Sequence, residues 1–575
     1  MATPTYSPGE RLTAAQAFGH FCAGLEYDSL QAAVVERAKH FFIDYMAIAL
    51  HASTLDSSRP VRALAAARPI PGGATLFGRP DPVHASWAAL ANGMAAHSME
   101  LDDTFLPGSI HNESFVFSPA LALAEERGAS GKRFLEAVVA GFEVACRVAA
   151  ALQPAVTNQR GFHPTGTTGA LGAAAAAGTL LGLDAAQMTG AFGIACSQAA
   201  GLLEFVTDGS WTKRFHGGWA SHAGIVAAEL AQHGLTAPAT SIEGKFGYLH
   251  AYSGDPLPQA LAIGEGETLA IAQTAMKYYP CNYYIQSVND AVLQLAARPD
   301  LQLDAIESIV VNTVQAAMAL VCEPIEQKRR PKVMIDAQFS VPFNVALGLV
   351  KRRVSFVDFT PAAFADPGVV GLMDRVTCRV DPELDAQYPA AWPARVEVTL
   401  ADGRRLQAAT THAKGDPRNP LALDDVIAKH RSIVVGIVDD SIDEQLLDFI
   451  LHIEVEIVGA FEQLVTVGVN QGADLLRLRV VDQNAAVPRR EVEFAVVPPR
   501  TLRLTGLTEI SLGIAIEYRD QLGVRGQIRN PPTADRHEPQ IALSVERSAF
   551  EELTLRRVAD VSEFLDWTDT CRQWR

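Results

Sequence analysis

Four clusters of polar residues interrupt a chain whose first half is rich in small apolar residues. The first cluster is residues 97–104 (HSMELDDT), and His111 follows it. Carboxylates beside Thr and His side chains can act as general acids and bases, or they can bind a metal ion. The alternative is structural, because Asp102, Asp103 or Thr104 could equally cap the start of a new helix.

The second cluster is residues 160–169 (RGFHPTGTTG), which contains His163 and Thr165 and stands just before a long predicted helix of small residues. A Gly/Thr-rich turn that opens a helix presents backbone N–H groups and the positive end of the helix dipole, which suits an anion. The cluster has neither the GK[ST] of a Walker motif nor the spacing of a dinucleotide fingerprint. The alternative is a capped helix with a partly exposed His163.

The third cluster is residues 208–218 (DGSWTKRFHGG), also placed before a predicted small-residue helix. Lys213, Arg214 and His216 put two cations and an imidazole among glycines, a combination that can bind a carboxylate. A solvated turn is the alternative.

The fourth cluster is residues 277–284 (KYYPCNYY), at a predicted domain junction. Lys277 lies among aromatic residues, where a lysine can be held near an active site with a lowered pKa. The aromatic residues could instead simply pack. Cys281 has no neighbour in the sequence that would activate it as a nucleophile.

Several familiar motifs are absent from the sequence. It has no HExxH, no paired cysteines, no EF-hand spacing and no GxSxG. The four clusters offer only His, Lys, Arg, Thr and carboxylate groups. This set predicts proton transfer on a small carboxylated substrate, with no cofactor and no metal.

The elements that must position these clusters differ along the chain. Up to about residue 270 the apolar residues recur at helical spacing, which predicts an all-helical domain. Several of its helices have small-residue faces that allow close approach. The predicted helices are residues 29–50, 84–99, 118–126, 131–152, 168–182, 184–203 and 218–234.

After about residue 276 the pattern predicts a smaller α+β domain. Strands are expected within 304–315 and 375–411, with a hairpin at residues 401–403 (ADG), and further helices at 335–350, 422–430 and 440–453. The expected division is a helical domain of residues 1–270 plus 406–455, a smaller α+β domain of residues 271–405, and an appended β-rich domain of residues 456–575.

Composition limits the function classes further. The chain has 575 residues and a formal net charge of −17, so nucleic-acid binding is not expected. Seven scattered cysteines without a CxxC pair fit free thiols in a reducing cytoplasm. No signal peptide is recognisable, and the apolar runs are too short to span a membrane.

In order and spacing, the clusters resemble the MmgE/PrpD family, which contains carboxylate dehydratases, decarboxylases and epimerases. The resemblance covers about residues 8–455 and implies a helical domain with an α+β lid, usually as a homodimer, with the active site between the two domains. The motifs that carry it are HSMELDDT, GFHPTGTTGALGAAAAA, SQAAGLLEF, DGSWTKRFHGG, EGKFGYL, KYYPCN, FSVPF and KGDPRNPL.

The resemblance and the residue chemistry together assign candidate roles. The expected catalytic residues are Asp103, His111, His163, Lys213 and Lys277. The expected substrate-binding residues are Glu100, Thr104, Thr165, Arg214, His216, Asn282 and Phe343.

Three positions depart from the decarboxylase-like version of the family pattern. Glu100 stands where that pattern has Asp, Asn282 where it has His, and Phe343 where it has Tyr. The last two changes remove a titratable group and an O–H donor. We therefore expect a cofactor-independent lyase, a dehydratase or a decarboxylase, acting on a di- or tricarboxylate, with a carbon–oxygen lyase (hydro-lyase) as the enzyme class. An isomerase or epimerase, and a non-catalytic binding protein, are the alternatives.

Overall fold

The computed structural model describes residues 12–264, 267–455, 502–504, 524–527 and 541–545. The chain divides into two compact units, residues 1–471 and 472–575. The helical domain and the sheet domain that carry the four polar clusters both belong to the first unit.

The helical domain is confirmed, with one correction, because a short strand β1 (Pro69–Ala74) bridges to Val83 within it. The long central helices bury small and aromatic side chains on nearly all sides, as the composition predicts. Its helices are α1 (Ala14–Gly24), α2 (Ala32–Ser53), α3 (Arg59–Ala66), α4 (Ala85–Ala96), α5 (Asn112–Arg127), α6 (Gly131–Leu152), α7 (Pro154–Gln159), α8 (Pro164–Leu180), α9 (Ala185–Gln198), α10 (Thr212–Gln232) and α11 (Tyr248–Tyr252).

Three of these helices begin earlier than the sequence predicts, and each difference moves a candidate site residue. Helix α8 starts at Pro164 rather than 168, which places Thr165 in its first turn. Helix α10 starts at Thr212 rather than 218, so Lys213, Arg214 and His216 lie inside the helix rather than before it. Proline fits the first turn of a helix, and glycines inside a helix are tolerated where packing requires them.

Helix α5 begins at Asn112 instead of 118 and continues through Pro119. The expected start before the proline was wrong because Asp103 stabilises the first turn from outside the helix. Its Oδ1 accepts a hydrogen bond of 2.7 Å from the backbone N–H of Glu113. His111 thereby becomes the N-cap residue of α5.

Close contacts between α4, α8 and α10 confirm the prediction from the small-residue faces. A Cβ added at Gly218 would stand 2.1 Å from the backbone oxygen of Leu90, and one at Gly224 would stand 2.3 Å from the Ala173 Cβ. Only glycine permits these approaches, which bring α10 against α4 at Gly218 and against α8 at Gly224.

The smaller domain has a sheet of four strands in the order β3-β2-β4-β5. Strand β2 pairs parallel with β3 and antiparallel with β4, and β4 and β5 form the predicted hairpin around residues 401–403. The strands are β2 (Ile306–Thr313), β3 (Val376–Val380), β4 (Ala394–Leu400) and β5 (Arg405–Thr410). The helices are α12 (Gln286–Ala296), α13 (Gln315–Ala317), α14 (Ile325–Lys328), α15 (Met334–Gln338), α16 (Val341–Lys351), α17 (Pro361–Phe364), α18 (Pro367–Met373) and α19 (Pro382–Asp385).

The chain then returns to the helical domain. Strand β5 carries the sheet to Thr410, five residues past the expected boundary at 405. Helices α20 (Leu423–Val434) and α21 (Asp440–Leu451) follow and pack on α2. Residues up to 454 belong to this packing, since Ile453 is fully buried and Glu454 pairs with Lys39 at 2.5 Å.

Three short strands are described in the second unit. They are β6 (Leu502–Leu504), β7 (Val524–Gln527) and β8 (Ile541–Val545), and they pair in the order β6-β8-β7. The rest of the expected β-rich segment lies outside the described residues. None of the described helices is long and apolar enough to cross a membrane.

Candidate active site

The first polar cluster forms a buried loop after α4. Glu100 adopts a left-handed backbone conformation with φ of 55°, which is uncommon for a residue with a side chain. The turn places Glu100, Asp102 and Asp103 below 5% exposure. Three buried carboxyl groups in one loop require positive or hydrogen-bonding partners, and neighbouring elements supply them.

Glu100 is held between two lysines. Its Oε1 pairs with Lys213 Nζ of α10, and its Oε2 lies 3.7 Å from Lys277 Nζ. Burial alone would raise the pKa of Glu100, but the two ammonium groups outweigh burial and lower that pKa to about 2. Burial lowers the pKa of Lys213 despite its Glu100 partner.

Lys277 has the opposite balance. Its Nζ lies 3.6 Å from Asp102 Oδ1. Burial acts to lower its pKa, but Asp102 and Glu100 outweigh burial and hold the pKa above its usual value. Lys277 is therefore a fixed positive charge, whereas Lys213 is the ammonium that gives up a proton more readily. The lowered pKa suggested for Lys277 by the sequence was wrong, because a single sequence cannot show two carboxylates facing it.

Asp102 and His97 form a short hydrogen-bonded pair. His97 Nδ1 lies 2.5 Å from Asp102 Oδ2, and both side chains are at most 1% exposed. Burial would raise the pKa of Asp102, but His97, His111 and Lys277 hold it well below its usual value. The His97 ring lies 5.2 Å from the His111 ring and 5.9 Å from the His163 ring.

His111 has a defined tautomer. Its Nδ1 lies 2.6 Å from the backbone oxygen of Asp103, which can only accept, so Nδ1 carries the proton. Thr104 Oγ1 lies 3.3 Å from the same nitrogen. Burial, reinforced by Lys277, lowers the pKa of His111 to about 3. His111 is thus a neutral imidazole whose Nε2 has a free lone pair.

Asp103 joins the acidic loop to the start of α5. Its carboxyl accepts hydrogen bonds from Asn112 Nδ2 at 2.8 Å and from the Glu113 N–H at 2.7 Å. Burial raises the pKa of Asp103 to about 7. The helix-cap interpretation of the acidic cluster was therefore wrong, since no helix starts at residues 102–104 and the N-cap residue of α5 is His111; Asp103 instead accepts a hydrogen bond from the first turn of α5 from outside the helix.

His163 and His216 pair through their Nδ1 atoms, which are 2.9 Å apart. One of these two nitrogens must donate and the other accept, so a single N–H proton lies between them. Burial, with each other's proximity, lowers the pKa of His163 well below its usual value, and burial lowers that of His216 to about 4. Both imidazoles are consequently neutral near pH 7.

Backbone pairing between the two domains brings Lys277 to the acidic loop. Thr104 and Ala275 exchange two backbone hydrogen bonds of 2.8 and 2.9 Å. From the smaller domain, Gln338 Nε2 donates to the Met99 oxygen at 2.8 Å. The site is thus assembled from α4, α5, α8, α10 and the segment that carries Ala275 and Lys277.

The remaining candidate substrate-binding residues have varied surroundings. Thr165 is fully buried in the first turn of α8. Burial lowers the pKa of Arg214, and Glu100 opposes that shift across the cluster. Asn282 uses its side-chain oxygen to accept from the Tyr284 N–H at 3.1 Å. Phe343 packs against Phe359 and Phe364 in the smaller domain's core, which accounts for the side chain structurally.

Sequence reasoning missed three residues that hold the cluster together. His97 and Asp102 were part of the acidic motif but were not among the candidate catalytic or substrate-binding residues. Lys429 of α20 is buried behind the loop, where its Nζ donates to Asp44 Oδ2 at 2.6 Å and to the Leu101 oxygen at 3.1 Å. The separation of more than 300 residues between Lys429 and the loop left no local signal for this contact.

Within the described part of the chain, no group of three or more His, Cys, Asp or Glu side chains could hold a metal ion. The six cysteines located there are all free thiols.

Comparison with known proteins places this arrangement in a family. The MmgE/PrpD N-terminal domain model matches residues 16–260, and the MmgE/PrpD C-terminal domain model matches residues 279–454. The chain belongs to the MmgE/PrpD family. Three of its four polar clusters lie within residues 16–260, and the fourth (277–284) lies within the second matched range from residue 279 onwards.

Curated relatives include enzymes of two named activities. Cis-aconitate decarboxylase of Aspergillus terreus is 26% identical over 457 residues, which cover 76% of this chain and 92% of the relative. The human cis-aconitate decarboxylase is 26% identical over 452 residues, covering 76% and 91%. The 2-methylcitrate dehydratase of Cupriavidus necator is 30% identical over 135 residues, 22% of this chain and 27% of that protein. Both activities are lyase reactions, which supports a carboxylate lyase.

Proposed function

We propose that this chain is a lyase that eliminates water from a small di- or tricarboxylate by moving a proton at the carbon next to a carboxylate. The observation that carries the proposal is the neutral imidazole of His111 within a buried cluster of ammonium and carboxylate groups. Membership in a family with lyase relatives supports the same reaction class.

The charge of the cluster suits an anionic substrate. Lys213 and Lys277 lie against the low-pKa carboxylates Glu100 and Asp102, and Arg214 is close enough to interact electrostatically with Glu100. Local cationic groups of this kind can attract a carboxylate although the whole chain is acidic.

His111 is the proposed base. Its Nδ1 proton is engaged by the Asp103 oxygen, so Nε2 is the nitrogen left to accept a proton. Its side chain is 14% exposed, against 8% for Lys213 and 1% for Lys277. Of these three groups, His111 is therefore the one that a bound substrate reaches most easily.

Lys213 is the proposed acid. In the elimination, Nε2 of His111 takes the proton from carbon, and that C–H electron pair becomes the new C=C bond. The neighbouring C–O bond breaks, and its oxygen leaves as water after taking a proton from Lys213 Nζ. The lowered pKa of Lys213, caused by burial, favours this donation, whereas the raised pKa of Lys277 favours a constant charge. Positioned proton transfer of this kind contributes about 10²–10⁴ in rate.

Elimination of water is preferred over decarboxylation because of two side chains. The decarboxylase-like pattern has His and Tyr where this chain has Asn282 and Phe343. Asn282 caps the Tyr284 N–H and Phe343 is fully buried among aromatic rings, so neither supplies a replacement proton donor.

The test is an NMR panel of di- and tricarboxylates that includes cis-aconitate and 2-methylcitrate. The expected result is loss or addition of water without release of carbon dioxide. Lys213→Met should abolish turnover, while the exposed Lys245→Met, a matched control, should not. Carbon dioxide release would overturn the dehydratase assignment. Deuterium exchange without net change would show an epimerase, and no reaction in the panel would remove the proposal.

The proposal extends to a cytoplasmic homodimer that needs no cofactor. Light scattering should then give twice the chain mass of 61.7 kDa. Turnover should also survive exhaustive dialysis against a chelator. A monomer, or activity restored only by an added metal ion, would contradict this part.

A further inference from the structure

We infer that His97 and Asp102 form a positioning dyad: His97 orients the Asp102 carboxylate so that its free oxygen stabilises the positive charge that forms on His111 during proton transfer. The inference rests on the proposed function, because it assigns the counter-ion of the base in that reaction. His97 and Asp102 do not touch the substrate in this account, since both side chains are at most 1% exposed.

The two oxygens of Asp102 face different partners. Oδ2 lies 2.5 Å from His97 Nδ1. Oδ1 lies 3.6 Å from Lys277 Nζ and 4.0 Å from His111 Nδ1. The bond to one oxygen restrains the rotation of the Asp102 carboxylate and directs the other oxygen towards the ammonium and the imidazole. At about 4 Å in a buried site, a carboxylate stabilises an imidazolium far more than it would in water.

His97 has one further distinguishing feature. Its Nε2 is buried and has no hydrogen-bond partner, so the ring's known bond is the one to Asp102. A buried histidine kept only for stability normally satisfies both nitrogens. His430 of α20 does so, with Nε2 2.6 Å from Asp443 Oδ1 and Nδ1 3.0 Å from the Ile43 oxygen.

Removing the Asp102 charge should therefore change the pH dependence of the reaction as well as its rate. Without that anion the ammonium groups of Lys277 and Lys213 lose an attractive partner, so their pKa values fall. The alkaline limit of activity then moves to lower pH. The charged and titratable groups that influence Asp102 or share its surroundings are Glu100, Asp103, His97, His111, His163, Lys213, Lys277, Asp44, Glu113 and Lys429.

The kinetic test compares two histidine–aspartate pairs, His97–Asp102 and His430–Asp443. Asp102→Asn should lower kcat at least 100-fold with KM changed less than fivefold, and should move the alkaline limb of the pH profile down by at least one unit. Asp443→Asn, in the satisfied pair, should leave kcat and the pH profile within twofold and 0.2 units even if it lowers thermal stability. An Asp102→Asn variant with an unmoved alkaline limb would overturn the inference.

Two substitutions at His97 distinguish a role in orienting Asp102 from a role in packing alone. His97→Asn keeps an N–H near the position of Nδ1 and should retain at least one tenth of wild-type kcat. His97→Phe fills the space without a donor and should match Asp102→Asn. Equal losses in both variants would contradict the orienting role.

A substrate-free measurement distinguishes this inference from the proposed function. A hydrogen bond of 2.5 Å between imidazole and carboxylate should give a low-field proton resonance in the folded, ¹⁵N-histidine-labelled full chain. The resonance should vanish in His97→Phe and Asp102→Asn and persist in Asp443→Asn. Its absence from the wild type overturns the dyad whatever the enzyme does. If it is present and no carboxylate is turned over, the proposed function fails instead.

Discussion

Chemically similar residues in this site have pKa values shifted in opposite directions, because the balance between burial and charged partners differs at each. Lys213 and Lys277 both face Glu100, yet burial dominates at Lys213 and the carboxylates dominate at Lys277. Asp102 and Asp103 are adjacent in the chain, but one is held as an anion and the other has a pKa near 7. The difference comes from their partners, since Asp102 meets cationic and imidazole groups whereas Asp103 meets amides.

The Glu100–Lys213 pair should behave as a buried ion pair. Lys213→Met leaves a buried carboxylate short of one cation, which costs about 3 kcal/mol of unfolding free energy. The double variant Glu100→Gln/Lys213→Met should recover most of that loss but none of the activity. Urea unfolding and turnover of wild type and the two variants measure both effects.

An exposed pair provides the control for that experiment. Lys132 and Asp28 are 3.2 Å apart, with side chains 48% and 84% exposed. Lys132→Met should change stability by less than about 1 kcal/mol. A Lys213→Met variant as stable as this control would contradict the buried-pair account.

Asp103 should make stability depend on pH. Its pKa is about 7 in the folded chain and about 3.9 when unfolded, so between these values the folded chain holds a proton that the unfolded chain releases. The resulting stabilisation is complete below pH 4 and is lost as pH rises to 7. Relative to wild type, Asp103→Asn should therefore gain about 1.4 kcal/mol per pH unit between pH 5 and 7. Urea unfolding at three pH values would show this trend, and a flat difference would refute it.

Residue types in the sequence indicated most members of the cluster but not the contacts that join them. Asp103, His111, His163, Lys213 and Lys277 were all selected from the sequence, and the structure brings them into one cluster or its immediate support. Local sequence could not show that His97 bonds Asp102 or that Lys429 bonds the Leu101 oxygen, because those contacts depend on how the chain folds back.

At the scale of elements, the site depends on how closely α10 approaches α4. Gly218 of α10 leaves no space for a methyl group beside the Leu90 oxygen. Lys213 and His216 lie on the same helix, so any displacement there also moves the cations relative to Glu100.

Gly218→Ala should therefore impair both stability and activity. Overpacking a close contact costs about 1–3 kcal/mol, and the shift of α10 should reduce turnover at least tenfold. Gly190→Ala in α9 is the matched control, because its nearest neighbours would be 3.6 and 3.8 Å from the new Cβ. That substitution should be neutral or stabilising by up to about 1 kcal/mol. Thermal melts and turnover would decide, and equal behaviour of the two variants would contradict the packing account.

Element types were predictable, while their starts were not. Apolar periodicity identified the helices of the first half, and alternation with the ADG turn identified β4 and β5. The starts of α5, α8 and α10 were placed too late, because the apolar spacing that identified these helices does not extend to their first turns. Pro164 opens α8, Pro119 lies inside α5, and Gly217 and Gly218 lie inside α10, where close packing favours them.

At the scale of the whole molecule, all site residues lie in the unit of residues 1–471. A chain ending at 471 should retain at least half of full-length turnover. The cut must fall beyond Glu454, since Ile453 is buried and Glu454 pairs with Lys39. A soluble, folded 1–471 chain without activity would show that residues 472–575 contribute to the reaction.

The most direct test of the central claim is the transfer of a proton between solvent and the substrate carbon. The turned-over carboxylate is incubated in D₂O with wild type, His111→Gln and the control His222→Gln, whose Nδ1 bonds the Ser86 oxygen at 3.0 Å outside the site. The account predicts deuterium at the carbon next to a carboxylate with wild type and His222→Gln, and a rate at least 100-fold lower with His111→Gln. Undiminished incorporation by His111→Gln would contradict it.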